Sequence, residues 1–317
     1  MLTYNALKAR AREFLAATGL KIEEFARLLP AFESAYHALY PVNQTAEGKT
    51  RQRLPGGGTK GTLRTFEDKL LFILVYQKTY PLQTLHGLQF GLSQPQTHYW
   101  IHRLLPVLQR ALADLKMTPE REGKHVASSE LVNEHAPDLL IDGSERRRQR
   151  PQDAIKQRAH YSGKKKAHTD KNIIVLNEHT GKVVYLSPTI EGKTPDKRAA
   201  DEAEIAFPTS ATLGKDTGFQ GYEPEGVATS QPKKKPKGKE LSGGDKVLNR
   251  MLSGARVKVE HAIAGIKRCR IIKDVFRLTK KGISDVVMEI ACALHNLRVS
   301  IRHPLPTFDL LNFVSDA

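Results

Sequence analysis

Cysteine is scarce: Cys269 and Cys292 are the only two. They lack the close spacing of metal ligands and cannot build a disulfide framework, which points to a reducing cytosol. Long hydrophobic runs are missing as well. The longest, residues 70–76, is far too short to span a bilayer, and no signal-peptide pattern opens the chain. There is no internal repeat. Acidic residues are in deficit, with 34 Asp and Glu against 50 Lys and Arg, a net charge of +16 and a pI near 9.7. Such an excess favours a polyanionic partner, nucleic acid first. A mere solubility feature would spread the charge, whereas residues 146–166 alone hold nine Lys or Arg. At 317 residues the chain has room for two domains and a sizeable core.

What the chain does have is one helix that organises the rest, over residues 247–268. Leu248, Leu252, Ala255, Val259, Ala262 or Ile263, and Ile266 recur in steps of three and four, the stripe of a helix packed on a core. Beside it run Arg256, Glu260 and Lys267. At roughly 100° per residue these three fall within about 40° of one another. The stripe is either an exposed ion-pair ladder or an active-site face, with an acid for metal and cations for phosphate.

In chain order, residues 1–48 read as an N-terminal helical arm. Its second helix, 22–29, stops at Pro30 and a third covers 31–39. Residues 49–64, with GGGTKG, read as a linker whose Lys49, Arg51, Arg53 and Lys60 touch DNA backbone or solvent. Residues 65–116 hold helices at 66–78, 82–90 and 94–112, with Gly91-Leu92 as the turn and Ser93 as N-cap. This is the helix-turn-helix pattern, which a generic three-helix bundle shares. It offers Gln94, Gln96, Thr97 and His98 to base edges or phosphates, while Trp100 suits the core. A linker, 117–136, separates this from an α/β region at 137–301. There a strand, 138–142, ends in Asp142 and is followed by the basic residues Arg146, Arg147 and Arg148 and by Lys164, Lys165 and Lys166, a phosphate clamp or a solvated run. A hairpin at 173–177 and 183–188, a helix at 201–207, and strands at 211–216 and 226–230 come next. QPKKKPKGKE reads as a basic loop over nucleic acid, 283–299 as the last helix, and 302–317 as an irregular docked tail.

Two strands ending in Asp142 and Asp216, with Glu260 on a later helix, form a metal constellation if the strands are neighbours. Three hard oxygen ligands suit Mg²⁺ or Mn²⁺. Two such ions about 3.5–4 Å apart serve the attacking and leaving oxygens of a phosphodiester. Asp196, in Gly192-Lys193-Thr194-Pro195-Asp196, is the rival second ligand, ranked lower because a loop Asp before a helix serves equally well as an N-cap.

The order Asp142-Gly143, Asp216-Thr217-Gly218-Phe219, then Arg256, Glu260 and Lys267 resembles the DDE transposases of bacterial insertion sequences. It is most similar to the fifth insertion-sequence family and related DDE superfamily endonucleases. The 43 residues between Asp216 and Glu260 fit that group, as does Tyr161-Ser162-Gly163-Lys164-Lys165-Lys166. The resemblance covers roughly 62–112 and 137–300. It implies an α/β ribonuclease-H-like catalytic domain, with a mixed five-stranded sheet, after an all-α helix-turn-helix domain. Asp142, Asp216 and Glu260 would be the catalytic metal ligands, holding two Mg²⁺ or Mn²⁺ ions, and Arg256 and Lys267 would hold DNA phosphates. The implied activity is cleavage and strand transfer of double-stranded DNA at element terminal inverted repeats and at target DNA, by a homodimer or larger synaptic assembly, cytoplasmic and nucleoid-associated. One departure stands out: the family Tyr three residues before the Arg is Ser253 here. The rival classes are a non-catalytic DNA-binding regulator on the same scaffold and a stand-alone metal-dependent endonuclease.

Overall fold

Helices α1 (Tyr4–Lys8), α2 (Ala11–Thr18) and α3 (Ile22–Leu39) open the chain of the computed structural model. The structure describes residues 1–44, 48–52, 61–235 and 240–304, without the side chains of Leu248, Met251, Ser253, Ala255 and Arg256. GGGTKG apart from its last residue, Arg53, Lys60, part of the QPKKKPKGKE loop and the tail beyond 304 lie outside the described residues. Gly19 ends α2 in the left-handed region, at φ 76°, as its position suggests. The expected break at Pro30 is absent: α3 runs through it. An interior proline costs about 3 kcal/mol. Phe25, Leu28, Phe32 and Ala35 bury on both sides of Pro30, and full burial of a large apolar side chain returns about 1.5–3 kcal/mol. The arm is tied to the far end of the chain by Arg302, which donates to both oxygens of the buried Glu24, at 2.6 and 2.8 Å.

The next three helices are α4 (Phe66–Thr79), α5 (Gln83–Phe90) and α6 (Gln94–Asp114), close to the expected bounds. Ser93 caps α6 in a reciprocal box with Gln96. The crossing of α5 on α6 requires Gly87, since a Cβ there would lie 2.5 Å from the Leu92 carbonyl oxygen and 2.6 Å from Thr97 Oγ1. Residues 117–136 contain a 3-10 turn, Gly123–Ser128, and α7 (Glu130–Asn133), with Val126, Leu131 and Val132 buried.

Among the described residues seven strands follow: β1 (Asp138–Arg147), β2 (Tyr161–Ser162), β3 (Ala167–Asn177), β4 (Val183–Leu186), β5 (Ile190–Glu191), β6 (Thr212–Lys215) and β7 (Ala228–Ser230). They form one seven-stranded sheet, two strands more than expected: β4-β3-β1-β6-β7 lie side by side, and the short β2 and β5 pair with the other half of β3. β1 is antiparallel to β3 and parallel to β6, which is parallel to β7. β1 and β3 are each about five residues longer than their apolar runs, because the polar extension finds partners across the strands: Arg146 meets Asn172, and Glu145 meets Thr169. Helices α8 (Ala154–His160), α9 (Asp196–Glu202), α10 (Gly243–Ile266), α11 (Arg270–Lys273) and α12 (Ile283–Arg302) complete the chain. α9 starts earlier than expected because Ala199 and Ala200 supply its buried face.

Alternation along the strands sends side chains to two cores. Leu140, Ile174 and Leu176 join α12, α10 and the N-terminal helices in one, and Leu139, Ile141, Ile173 and Val175 join α9 and Phe219 in the other. Helices on both faces of a mixed sheet in this strand order make the domain ribonuclease-H-like.

Two buried histidines give the body an acid limit. His86 and His295 each donate from Nε2 to a main-chain carbonyl, of Phe72 at 3.1 Å and of Gly181 at 3.0 Å. Burial pushes both down to about 4, whereas an unfolded histidine titrates near 6.5. Protons therefore bind the unfolded chain first as pH falls. Their contribution is whole above about pH 6.5 and declines toward pH 4, by about 1.4 kcal/mol per pH unit for each. Thermal unfolding followed at pH 7.5 and pH 5 should show Tm lower at pH 5 by roughly 5–10 °C. An unmoved Tm would mean that both rings accept a proton without unfolding.

Candidate active site

Parallel pairing of β1 with β6 runs in register from Asp138 with Thr212 to Ile141 with Lys215. The next residues along the two strands are Asp142 and Asp216, so these acids leave the sheet side by side, on strands about 4.8 Å apart. Leu140, Asp142, Gly214 and Asp216 share one face and line one pocket, closed by Leu252 and Val259 of α10. Each Asp is aimed by its own following residue. Asp142 Oδ1 accepts from the Gly143 N–H at 2.7 Å, and Asp216 Oδ1 accepts from the Thr217 N–H at 2.6 Å. The Asp216 corner is clamped from below. Lys215 is buried, and its ammonium donates to the Tyr222 carbonyl and to Glu223, while Phe219 and Tyr222 sink into the core.

α10 packs across β1 and β6 on this face. Val259, Ala262 and Ile266 are its buried stripe, as the sequence pattern requires. Glu260, next to the pocket-lining Val259, is exposed. Among the described residues no three His, Cys, Asp or Glu side chains converge closely enough to hold a metal ion. The structure thus brings Asp142 and Asp216 together and leaves Glu260 on the helix above them. Lys267 is half-buried. Burial first, and then the charge of Lys165, push it below the usual lysine range, while Asp142 and Glu145 act in the opposite sense. Lys267 therefore lies within electrostatic reach of both the Asp142 carboxylate and Lys165. Arg256 is one helical turn before Glu260 on α10, and its side chain, like that of Ser253, lies outside the described residues.

The other basic candidates divide. Lys164, Lys165 and Lys166 are exposed on the turn between β2 and β3, with Lys166 at φ 49°. Arg147 is exposed too. Arg146 is not a surface residue. Only 4% exposed, it donates to the Ser284 carbonyl, Asn172 Oδ1 and Thr189 Oγ1, and so bolts β1 to β3 and α12. Arg148 is half-buried and paired with Asp170 at 2.8 Å, and His160 meets the same carboxylate at 3.1 Å. A local charge count cannot separate these fates, because it ignores the strand alternation that turns Arg146 inward and Arg147 outward.

On α6, Gln94 and His98 are exposed, and so is Gln96 although its Oε1 serves the cap. Thr97 is fully buried, with its hydroxyl donating to the Ser93 carbonyl, so it belongs to the α5–α6 crossing and not to the exposed row. Trp100 packs against the core. Three further groups are not evident from the sequence pattern. Tyr99, His102 and Arg103 join His98 in lining a cleft whose other wall is Arg277–Lys280. The signal that could have found them is the i, i+4 recurrence of His98 with His102 and of Tyr99 with Arg103 on the exposed face. The Arg103 guanidinium lies 3.6 Å over the Tyr40 ring and donates to Tyr36 and Tyr99.

Comparison with known proteins bears on both regions. A family model described as DDE superfamily endonuclease matches residues 141–296, and one described as helix-turn-helix of DDE superfamily endonuclease matches residues 61–114. The chain is also similar to the probable transposase for insertion sequence element IS702 of Microchaete diplosiphon, with 25% identity over 261 residues, 82% of this chain and 89% of that protein.

Proposed function

Since this chain belongs to the DDE superfamily endonucleases, we propose that it is the transposase of a bacterial insertion sequence, which binds the element ends, cleaves a DNA strand there and joins it to target DNA. The observation that carries this reading is the pair Asp142 and Asp216, emerging in register from adjacent parallel strands into one pocket under α10. Two carboxylates on one face are a hard-oxygen donor set that fits Mg²⁺ or Mn²⁺. Asp142 and Asp216 would hold two such ions, with Glu260 of α10 as the third ligand. Bound there, divalent cations supply charge stabilisation for in-line displacement at a phosphodiester.

The chain's own groups do the rest. The hydrogen bonds from Gly143 and Thr217 keep both carboxylates aimed. Lys267 and Lys165, with Arg256, hold the phosphates flanking the scissile bond, and Lys164, Lys166 and Arg147 extend that grip. Gln94, Gln96 and His98 at the start of α6 read base edges in the terminal inverted repeats, and Tyr99, His102 and Arg103 follow the same strand along the cleft. A water attacks in the first step, and the freed 3′-hydroxyl attacks target DNA in the second. Both are in-line displacements, so one site runs both. Two ends must be cut together, which calls for a homodimer or larger synaptic assembly. No helix among the described residues is long and apolar enough to cross a membrane, and the working place we assign is the cytoplasm, at the nucleoid.

The test is a strand-transfer assay with element-end duplexes, target plasmid and Mg²⁺. Cut ends bearing 3′-hydroxyls together with joined products are expected. Cutting without joining would replace the transposase with a stand-alone nuclease, and tight binding without cutting would leave a regulator.

A further inference from the structure

Asp196, open from sequence to a ligand or an N-cap role, does not cap α9. Pro195 occupies the N-cap of α9, and the Asp196 carboxylate accepts from Lys171 Nζ at 2.7 Å. Lys171 is buried, and its ammonium also donates to the Thr194 carbonyl at 2.6 Å, so it holds both the acid and the loop that leads to it. The placement of that acid is unusual. A Cβ on Gly143 would lie 2.7 Å from Asp196 Oδ1, and a Cβ on Gly218 would lie 2.9 Å from Oδ2. Real Cβ atoms do not approach so closely, so both positions need glycine because one carboxylate occupies the space between them.

These are the glycines of the two site corners. Gly143 directly follows Asp142, and Gly218 sits in the 3-10 turn that Asp216 caps. Neither has a positive φ, so the demand is for room and not for backbone freedom. Alternation puts Gly143 and Lys171 on the sheet face opposite the Asp142 carboxylate, the face covered by α9. Asp196 therefore touches both corners from behind.

We infer that Asp196, braced by Lys171, is a positioning residue that sets the separation of Asp142 and Asp216 from the far side of the sheet. It does not ligate or react. It fills the gap between the β1 strand and the Asp216 turn with two oxygens of fixed place, and the buried ammonium keeps those oxygens oriented. This rests on the reading of Asp142 and Asp216 as a divalent-cation site. Groups that orient ligands from behind commonly cost about 10- to 100-fold in metal affinity when changed.

The experiment is Mn²⁺ titration of the full-length protein by calorimetry, with Tm measured in parallel. Asp196→Asn keeps the size of the side chain and an acceptor for Lys171. Gly218→Ala intrudes on Oδ2 at an unstrained backbone position. Each should weaken Mn²⁺ binding about 10-fold or more while the protein stays folded. In an Asp196→Ala background, where the clash partner is gone, adding Gly218→Ala should cost less than about threefold further, a non-additivity that marks direct coupling. A merely structural Asp196 predicts lower Tm with unchanged Mn²⁺ affinity, and that result, or full additivity, overturns the inference. A folded wild-type protein that binds no Mn²⁺ overturns the metal site itself, and the inference falls with it.

Discussion

Asp142→Asn and Asp216→Asn, made singly, are expected to reduce DNA strand cleavage by at least about a hundredfold to a thousandfold, the scale for losing one preorganised charge-stabilising group. DNA binding and Tm should stay near wild type. The choice of asparagine makes this separable. Its Oδ1 still accepts the Gly143 or Thr217 N–H that each aspartate now receives, so corner geometry survives while the negative charge is lost. Both residues are only half-buried, and the neighbouring groups that hold each corner are untouched. Glu260→Gln should match them in rate if α10 delivers that acid to the site. Cleavage by any of the three at the wild-type rate, measured with saturating DNA and Mg²⁺, removes that residue from the catalytic set. A variant that also fails to bind DNA would show that the site and the DNA surface are not separable.

How much of this can be read from residues alone differs by element. Helices α4, α5 and α6 are legible because the long apolar run of α4, the Gly91 turn and the Ser93 cap agree. The ends of β6 and the first half of β1 are legible as short apolar runs closing in Asp. The other half of β1 is not. Glu145, Arg146 and Arg147 read as solvated charge, and only the partner strand, with Thr169 and Asn172 waiting opposite, makes them strand. Pro30 misleads for the same reason, since burial on both sides of it overrides a local rule. Thr97 and Asp196 are plainer cases of tertiary context. By pattern Thr97 is a base reader, yet α5 covers it. By pattern Asp196 is a cap or a ligand, yet Lys171 and two glycines surround it. Local pattern names an element. The partner that crosses it decides what each polar side chain does.

Lys267 decides between the two readings of the α10 stripe. As a member of an exposed ion-pair ladder it would be worth about 0–1 kcal/mol, and Lys267→Met would barely alter either rate or stability. The structure gives it a different setting. It is half-buried, and burial together with Lys165 pushes its ammonium below the usual lysine range, against the pull of Asp142 and Glu145. A lysine whose folded pKa is depressed binds its proton more tightly in the unfolded chain. Its charge therefore costs stability at every pH below the folded value, and the cost is relieved only as pH rises toward the unfolded value near 10.4. At pH 7 that cost is fully present, so Lys267→Met should hold or raise Tm. A cation kept at such a cost beside the Asp142 corner is consistent with the proposed grip on a DNA phosphate. Removing a charged contact to a reacting phosphate should cost about 2–4 kcal/mol of transition-state stabilisation, roughly thirtyfold to a thousandfold in cleavage rate. Arg256→Ala should lie in the same range if its side chain joins Lys267 on the phosphate. The measurement is single-turnover cleavage beside thermal unfolding. A Lys267→Met protein that is as stable as wild type yet cuts slowly places Lys267 on the DNA. One that keeps both its stability and its rate returns the whole stripe, Glu260 included, to the surface of the helix.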